Sequence, residues 1–319
     1  MRYLFLLCVS FFYLFADTHV LLYHRFNDDR YPSTSISSEK LKEQFKYLKD
    51  NNYTIVKLDQ IIKKLEKKEQ IPSKWIAITI DDSYKSFYEH GFEIFKEFNY
   101  PFTMFVYVEG TNNKYPDFMN WEEIKGISKF GQIEYHSYAH PSMAKIDKKT
   151  LEDDFEKGLK LFEKNLGTKP QYFSYPYGEM NDYSEELIKK YNFRAIFNQN
   201  NGAVNEKSDI YNIDRLAIVG DVNLKNLLAS RYLKVDWEEP KIYPKDNILK
   251  YVKAKVDTNK TKVKLYISGI GWLDVDIKDG KVDENINATL KNNRTRVILK
   301  VDNEISTKII TKGEQSGTK

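Results

Sequence analysis

The chain has 319 residues, 41% of them hydrophobic, which suffices for one large core and leaves room for a second, smaller domain. Its 50 lysines and arginines are nearly balanced by 46 aspartates and glutamates, and the two signs are interleaved along the chain. This charge pattern argues against nucleic acid as a partner.

The first residues have the pattern of an export signal. Arg2 supplies a positive start, and the unbroken apolar stretch 4–15 is too short to span a bilayer comfortably. We predict that residues 1–16 are a signal peptide or an uncleaved membrane anchor, and that the protein is exported to the periplasm or cell envelope. The only cysteine, Cys8, lies in this segment, so the exported chain would carry no disulfide.

From residue 17 to residue 236, short apolar runs alternate with amphipathic, lysine-rich stretches, as in strands joined by helices. The predicted strands are Val20–Tyr23, Trp75–Ile80, Phe102–Val108, Ile133–Tyr135, Tyr172–Tyr175 and Ala195–Phe197. The predicted helices are Ser38–Asn51, Phe87–Phe98, Trp121–Ser128 and Lys149–Leu166. Repeated strand-helix units predict an α/β fold with parallel strands, either an open doubly wound sheet or a closed barrel.

The pattern changes in the last third of the chain. Residues 237–246 include two prolines and are predicted to be a linker. Residues 247–311 show alternating strands without helical periodicity, which predicts a small all-β, sandwich-like domain. The predicted strands are Ile248–Val256, Lys262–Ser268, Trp272–Ile277 and Arg296–Val301. The polar residues 312–319 are predicted to be a disordered tail.

Two clusters of polar residues directly follow predicted strands. Asp81 and Asp82 follow one buried strand, at the edge where parallel sheets and barrels place active sites. His136 and His140 follow another. Each feature alone is often structural, because an Asp-Asp pair can cap a helix and a histidine pair can be part of a core. Together, two histidines and one carboxylate supply three ligands for zinc, nickel, cobalt or iron and leave a position for water.

Two further segments also follow strands. Tyr175-Pro176-Tyr177-Gly178 is either a plain turn with aromatic packing or a groove wall that presents a backbone N–H to an oxyanion. His24, after the first strand, is either a hydrogen-bonded residue under a loop or a candidate general acid.

These motifs resemble those of the polysaccharide deacetylases, the NodB-homology family or family 4 of the carbohydrate esterases. Residues 79–83 are similar to the first motif of the family, residues 136–140 match the second, and residues 175–178 resemble the third. The likeness covers residues 19–220 and does not include the C-terminal domain. It implies a distorted (β/α) barrel, in agreement with the alternation of strands and helices.

The resemblance also implies roles for individual residues. Asp81 would be the catalytic base, and Asp82, His136 and His140 would bind a divalent metal, with Zn²⁺ expected and Co²⁺, Ni²⁺ or Fe²⁺ as alternatives. The substrate and the oxyanion would be contacted by the segment Tyr175, Pro176 and Tyr177.

Two departures from the family pattern point to one of its branches. Ser174 stands where the third motif usually has an arginine, and no histidine follows His140 to serve as the late general acid. Both gaps resemble the enzymes that act on poly-β-1,6-N-acetylglucosamine, where the acid histidine comes from a Tyr-His motif at the start of the domain. His24 has that position. Arg215 is a candidate to replace the missing arginine, with a surface salt bridge as the alternative.

The predicted function is therefore metal-dependent hydrolysis of N-acetyl groups from an N-acetylglucosamine-containing polysaccharide or peptidoglycan, releasing acetate. A non-catalytic glycan-binding protein and a metal-dependent amidase of small substrates remain alternatives. In the β domain, Tyr251, Tyr266 and Trp272 are either core residues or a sugar-stacking surface. The sequence specifies neither the polymer nor the oligomeric state.

Overall fold

Parallel strands alternate with helices up to about residue 230 in the computed structural model, which describes residues 17–313. The strands are β1 (His19–Tyr23), β2 (Arg25–Phe26), β3 (Ser35–Ile36), β4 (Thr54–Ile55), β5 (Trp75–Asp81), β6 (Thr103–Val106), β7 (Gln132–Tyr135), β8 (Tyr172–Ser174), β9 (Ala195–Phe197) and β10 (Leu216–Ala217). The α-helices are α1 (Ser38–Asp50), α2 (Leu58–Glu66), α3 (Phe92–Phe98), α4 (Val108–Asn112), α5 (Trp121–Ile127), α6 (Lys148–Leu166), α7 (Asp182–Lys189) and α8 (Leu224–Leu228).

The strands form a parallel sheet in the order β10-β1-β5-β6-β7-β8-β9, with β4 also on β5. Leu216 of β10 pairs with Leu21 of β1 at one edge. Three residues earlier, Ile213 forms a parallel bridge with Phe197 of β9 at the other edge. One short segment therefore contacts both edges and bends the sheet into a distorted barrel, which confirms the predicted fold class.

Helix α1 shows how the sequence pattern produces this layer. Leu41, Phe45 and Leu48 recur at the spacing of one helix face, and all three are fully buried against the sheet. Ser37 caps the helix by accepting a hydrogen bond from the backbone N–H of Lys40. Burial of each large apolar side chain contributes about 1.5–3 kcal/mol.

The remaining strands belong to the β domain. They are β11 (Arg231–Tyr232), β12 (Val235–Glu239), β13 (Ile248–Val256), β14 (Lys262–Ile267), β15 (Gly271–Asp276), β16 (Lys281–Thr289), β17 (Arg294–Val301) and β18 (Glu304–Thr311). One sheet has the order β11-β18-β17-β14-β15 and the other β12-β13-β16. Apolar residues from both sheets share one core, as in a sandwich.

The structure differs from the predicted linker 237–246. Strand β12 extends into it, because Val235 and Trp237 alternate with charged residues and pair with β13. The indole N–H of Trp237 also donates to Ser306 Oγ of the other sheet at 3.1 Å. Sequence patterning missed β12 as a strand because prolines follow it closely.

Some predictions concern the two ends of the chain. The predicted signal peptide or anchor, 1–16, lies outside the described residues, as do residues 314–319 of the predicted tail. Within residues 17–313, none of the helices combines the length and the apolar character needed to cross a membrane.

Candidate active site

The carboxylate of Asp81 is held by a buried arginine at the end of β5. Arg215 donates from Nη1 to Asp81 Oδ1 and from Nη2 to Oδ2, each at 2.8 Å, and both side chains are fully buried. Ser174 Oγ donates to the same Oδ2 at 3.1 Å and accepts from Arg215 Nη2 at 2.8 Å. The carbonyl oxygen of Asn198 accepts from Arg215 Nε at 2.9 Å. This two-point contact orients the Asp81 carboxylate rigidly.

The same contacts determine the charge of Asp81. Burial raises the pKa of Asp81, but the positive charge of Arg215 and its hydrogen bonds, together with His136, bring that pKa below the usual value. The Asp81 carboxylate is therefore ionised at neutral pH.

Three side chains converge beside this pair. Asp82 Oδ1 lies 3.2 Å from His136 Nε2 and 2.9 Å from His140 Nε2. One ligand atom from each of the three residues lies within 4.8 Å of the others. His136 Nδ1 lies 2.7 Å from the carbonyl oxygen of Ser174. Because that carbonyl can only accept, Nδ1 carries a proton, and Nε2 is the ring nitrogen that faces Asp82.

The loops that carry these residues contain several unusual backbone angles. Asp82 and Ser83 follow β5 with φ of +74° and +57°, a region that non-glycine residues seldom adopt. Ser137 and His140 have φ of +68° and +53°, and Tyr177 has φ of +59°. The turn at Asp82 directs its side chain away from that of Asp81, so neighbours in sequence occupy different places in the site.

A residue that the sequence analysis missed holds the histidine loop. Asp154 of α6 accepts hydrogen bonds from the backbone N–H groups of Tyr138, at 2.9 Å, and Ala139, at 2.7 Å. Its signal in the sequence was an acidic residue on the apolar face of α6, next to Leu151 and Phe155. A buried acid on an apolar face needs partners, and here they are the loop amides.

His24 lies at the same end of the barrel, where β1 ends. Burial brings the pKa of His24 below its usual value, although the charges of Asp82 and Asp81 act in the opposite direction, so both carboxylates are within electrostatic reach. The other non-ligand histidines are elsewhere: His90 is exposed on the π-helical turn after β5, and His19 starts β1 with Nε2 at 3.0 Å from Ser230 O.

The third motif is divided between surface and core. The ring of Tyr177 is 49% exposed, and its centroid lies 4.6 Å from that of His140. Tyr175, by contrast, is 1% exposed and packs on Phe173, and Pro176 is buried. Neither Tyr175 nor Pro176 is therefore available to contact the substrate as predicted: the ring of Tyr175, just after β8, packs into the core, and the turn that follows, in which Tyr177 has φ of +59°, brings Tyr177 alone of the two tyrosines against His140.

Aromatic rings extend outward from the ligand His140. The ring centroids of His140 and Tyr107 are 5.6 Å apart, those of Tyr107 and Phe118 5.0 Å, and those of Phe118 and Tyr84 4.9 Å. The guanidinium of Arg25 then stacks on Tyr84 at 3.5 Å and on Tyr31 at 3.9 Å. The series forms a continuous line of ring contacts that begins at the Asp82, His136 and His140 cluster.

The fold and the site together define an α/β barrel protein with a candidate metal centre and an adjacent buried carboxylate at the carboxyl ends of its strands. Comparison with known proteins agrees with this description: the model of the polysaccharide deacetylase family matches residues 68–196. This match confirms the resemblance seen in the motifs.

Individual relatives agree with this assignment. A poly-beta-1,6-N-acetyl-D-glucosamine N-deacetylase from Staphylococcus aureus is 28% identical over 200 residues, which is 59% of this chain and 69% of that protein. The structure of IcaB from Ammonifex degensii superposes with a TM-score of 0.56 and 25% identity, covering 65% of this chain and 93% of that one. The Streptococcus pyogenes deacetylase PplD in complex with acetate has a TM-score of 0.61 at 18% identity, covering 67% and 97%.

Proposed function

We propose that this protein is an exported, metal-dependent hydrolase that removes N-acetyl groups from an N-acetylglucosamine-containing polysaccharide and releases acetate. The observation that carries the proposal is the placement of the buried Asp81–Arg215 pair beside the convergent Asp82, His136 and His140. The activity of the Staphylococcus aureus relative makes poly-β-1,6-N-acetylglucosamine the first substrate to test, with peptidoglycan as the alternative.

The residues of the site fit a divalent metal. Asp82 Oδ1 and His136 Nε2 are buried and have no hydrogen-bond partner among the described residues, although they lie only 3.2 Å apart. A divalent ion held by Asp82, His136 and His140 would satisfy both atoms, and this mixture of nitrogen and oxygen ligands suits Zn²⁺. When bound, the ion would supply Lewis-acid polarisation of the amide carbonyl and make the attacking water more acidic.

The protein's own residues would supply the proton transfers. Asp81 takes the proton of the water as its oxygen attacks the acetyl carbon, with Arg215 fixing the direction of the carboxylate lone pairs. The backbone N–H of Tyr177 is the proposed donor to the developing oxyanion. His24 then gives a proton to the amide nitrogen as the C–N bond breaks, which yields acetate and a glucosamine residue.

The experiment that tests this function measures acetate released from several N-acetylated glycans by protein loaded with defined metals. Release from a glucosamine polymer or its oligosaccharides supports the proposal. Activity confined to small amides would instead favour the amidase alternative, and glycan binding without release of acetate would favour a non-catalytic glycan-binding protein.

His24→Ala should lower the turnover rate by about 10²- to 10⁴-fold with metal content unchanged, because the leaving nitrogen loses its proton donor. The substitution should also remove the alkaline limb of the pH profile, since activity that requires a protonated group falls as the pH rises through its pKa. The size-matched His24→Gln variant should behave in the same way. Near-normal turnover with an intact alkaline limb would return His24 to a structural role.

Arg215→Met should move the acidic limb of the pH profile to higher pH. The positive charge of Arg215 opposes the effect of burial on Asp81, so its removal raises the pKa of that carboxyl, and a base must be ionised to act. Arg215→Lys keeps the charge but not the two-point contact, and should give a smaller shift. Turnover measured from acidic to neutral pH checks this, and an unmoved limb in the methionine variant would contradict it.

A further inference from the structure

An exposed aromatic pair lies on the five-stranded sheet of the β domain, away from the site described above. Trp272 of β15 and Tyr266 of β14 are opposite in register, and their ring centroids are 5.2 Å apart. Trp272 is 51% exposed, whereas Val263, Leu265 and Ile267 of β14 are buried in the sandwich core. Since side chains alternate along a strand, the pair lies on the outer face and is not part of the core.

That outer face reaches the active-site loops of the barrel. Tyr266 is opposite Ile298 of β17, and alternation places Arg294, four residues earlier, on the same face. Arg294 Nη2 donates to the carbonyl oxygen of Tyr177 at 2.9 Å, and its Nε lies 3.6 Å from Glu179 Oε1. The sheet is therefore attached to the loop whose tyrosine ring contacts His140.

A second contact involves the same face. Thr307 of β18 is opposite Ile298, and its hydroxyl donates to the carbonyl oxygen of Asn201, in the loop after β9, at 2.9 Å. One part of the face thus covers loops at the carboxyl ends of the barrel strands, and β14 and β15 continue it as open surface. From the spacing between neighbouring strands and the rise per residue along a strand, we calculate that Trp272 lies about 16 Å from Arg294.

Polar groups border the aromatic pair on this surface. Lys264 and Asp274 are opposite in register, two residues from Tyr266 and Trp272 respectively, and Lys264 Nζ donates to Asp274 Oδ1 at 3.0 Å. An aromatic plane flanked by charged hydrogen-bonding groups is suited to a pyranose ring, which has an apolar face of C–H groups and a rim of hydroxyls.

We propose that Trp272 and Tyr266 form a distal glycan subsite that holds the same polysaccharide chain whose N-acetyl group is at the metal centre. The proposal rests on the proposed function and adds a role for the β domain. A chain bound at the distal subsite is presented to the active site at a raised effective concentration. Only substrates long enough to reach from this pair past Arg294, itself about 16 Å away, to the active site gain from this, so the subsite makes activity depend on chain length.

The kinetic test compares a long N-acetylglucosamine polymer with an oligosaccharide too short to reach both places. Trp272→Ala should raise the KM for the polymer about threefold to tenfold and leave its kcat unchanged. Both kcat and KM for the short substrate should stay the same. Trp272→Phe should keep the KM for the polymer close to that of the wild type, because an aromatic ring remains. Trp272→Leu, which is apolar but not aromatic, should raise that KM as Trp272→Ala does. Tyr251→Ala is the matched control, because Tyr251 is 44% exposed on the other sheet.

A binding measurement separates this inference from the proposed function. Affinity electrophoresis in gels containing the polymer needs no turnover and can be carried out with the Asp81→Asn protein with and without Trp272→Ala. Retardation that is reduced by Trp272→Ala but not by Tyr251→Ala supports the subsite even if no acetate is ever released. Equal retardation of the two proteins, or equal polymer KM in the kinetic test, would overturn it.

Discussion

Asp81→Asn should lower the rate of acetate release by about 10²- to 10⁴-fold while the metal content stays the same. Asparagine has the shape of aspartate but cannot accept the proton of the attacking water. Asp81 is also the carboxylate bound by Arg215, so its loss leaves the convergent Asp82, His136 and His140 in place. The measurement is turnover together with metal analysis of the same sample.

The control for this variant is another buried carboxylate. Glu134 of β7 accepts hydrogen bonds from the backbone N–H groups of Gln171 and Tyr172, each at 2.7 Å. Burial raises the pKa of Glu134 to about 7, so the neutral Glu134→Gln is a close substitute and should keep near-normal turnover. Because Asp81→Asn also leaves the buried Arg215 without a charged partner, thermal unfolding should accompany the comparison. Normal turnover of Asp81→Asn would exclude it as the base.

Removal of either histidine ligand should abolish the response of the protein to zinc. His136→Ala or His140→Ala leaves two protein ligands. The affinity for zinc should fall by more than about 10²-fold, because loss of an outer-shell contact alone can lower metal affinity by up to that factor. Zinc at about 100 times its dissociation constant should stabilise the wild type by about 2.7 kcal/mol, and the variants should lose this thermal shift. Chelation should likewise stop acetate release, and added zinc should restore it.

His90→Ala is the matched control for the ligand variants, because His90 is exposed on the π-helical turn and should leave both the thermal shift and turnover unchanged. The two aspartates provide a further test of assignment. If Asp82→Asn keeps the metal and Asp81→Asn loses it, the roles given to the two carboxylates are reversed. Activity retained by a verified metal-free protein would refute the metal-dependent mechanism.

Much of the fold was predictable because its determinants are local. Three-and-four spacing of apolar residues marked α1 and α6, and short apolar runs marked β5 and β7. The prediction missed α2, although Leu58, Ile61, Ile62 and Leu65 have the same spacing. It also missed β16 and β18, whose polar and charged residues outnumber their inward apolar side chains, so that period-two alternation was weak.

The sequence by itself determined the composition of the candidate site. Asp81, Asp82, His136 and His140 follow apolar strands, and parallel strands bring their carboxyl ends to one edge, so short local patterns were enough to group them. Only the tertiary structure decided which other residues join them. Arg215 lies within the segment that bridges the two sheet edges, and barrel closure brings it beside Asp81. Such a contact depends on long-range strand pairing, which no local pattern around Arg215 encodes.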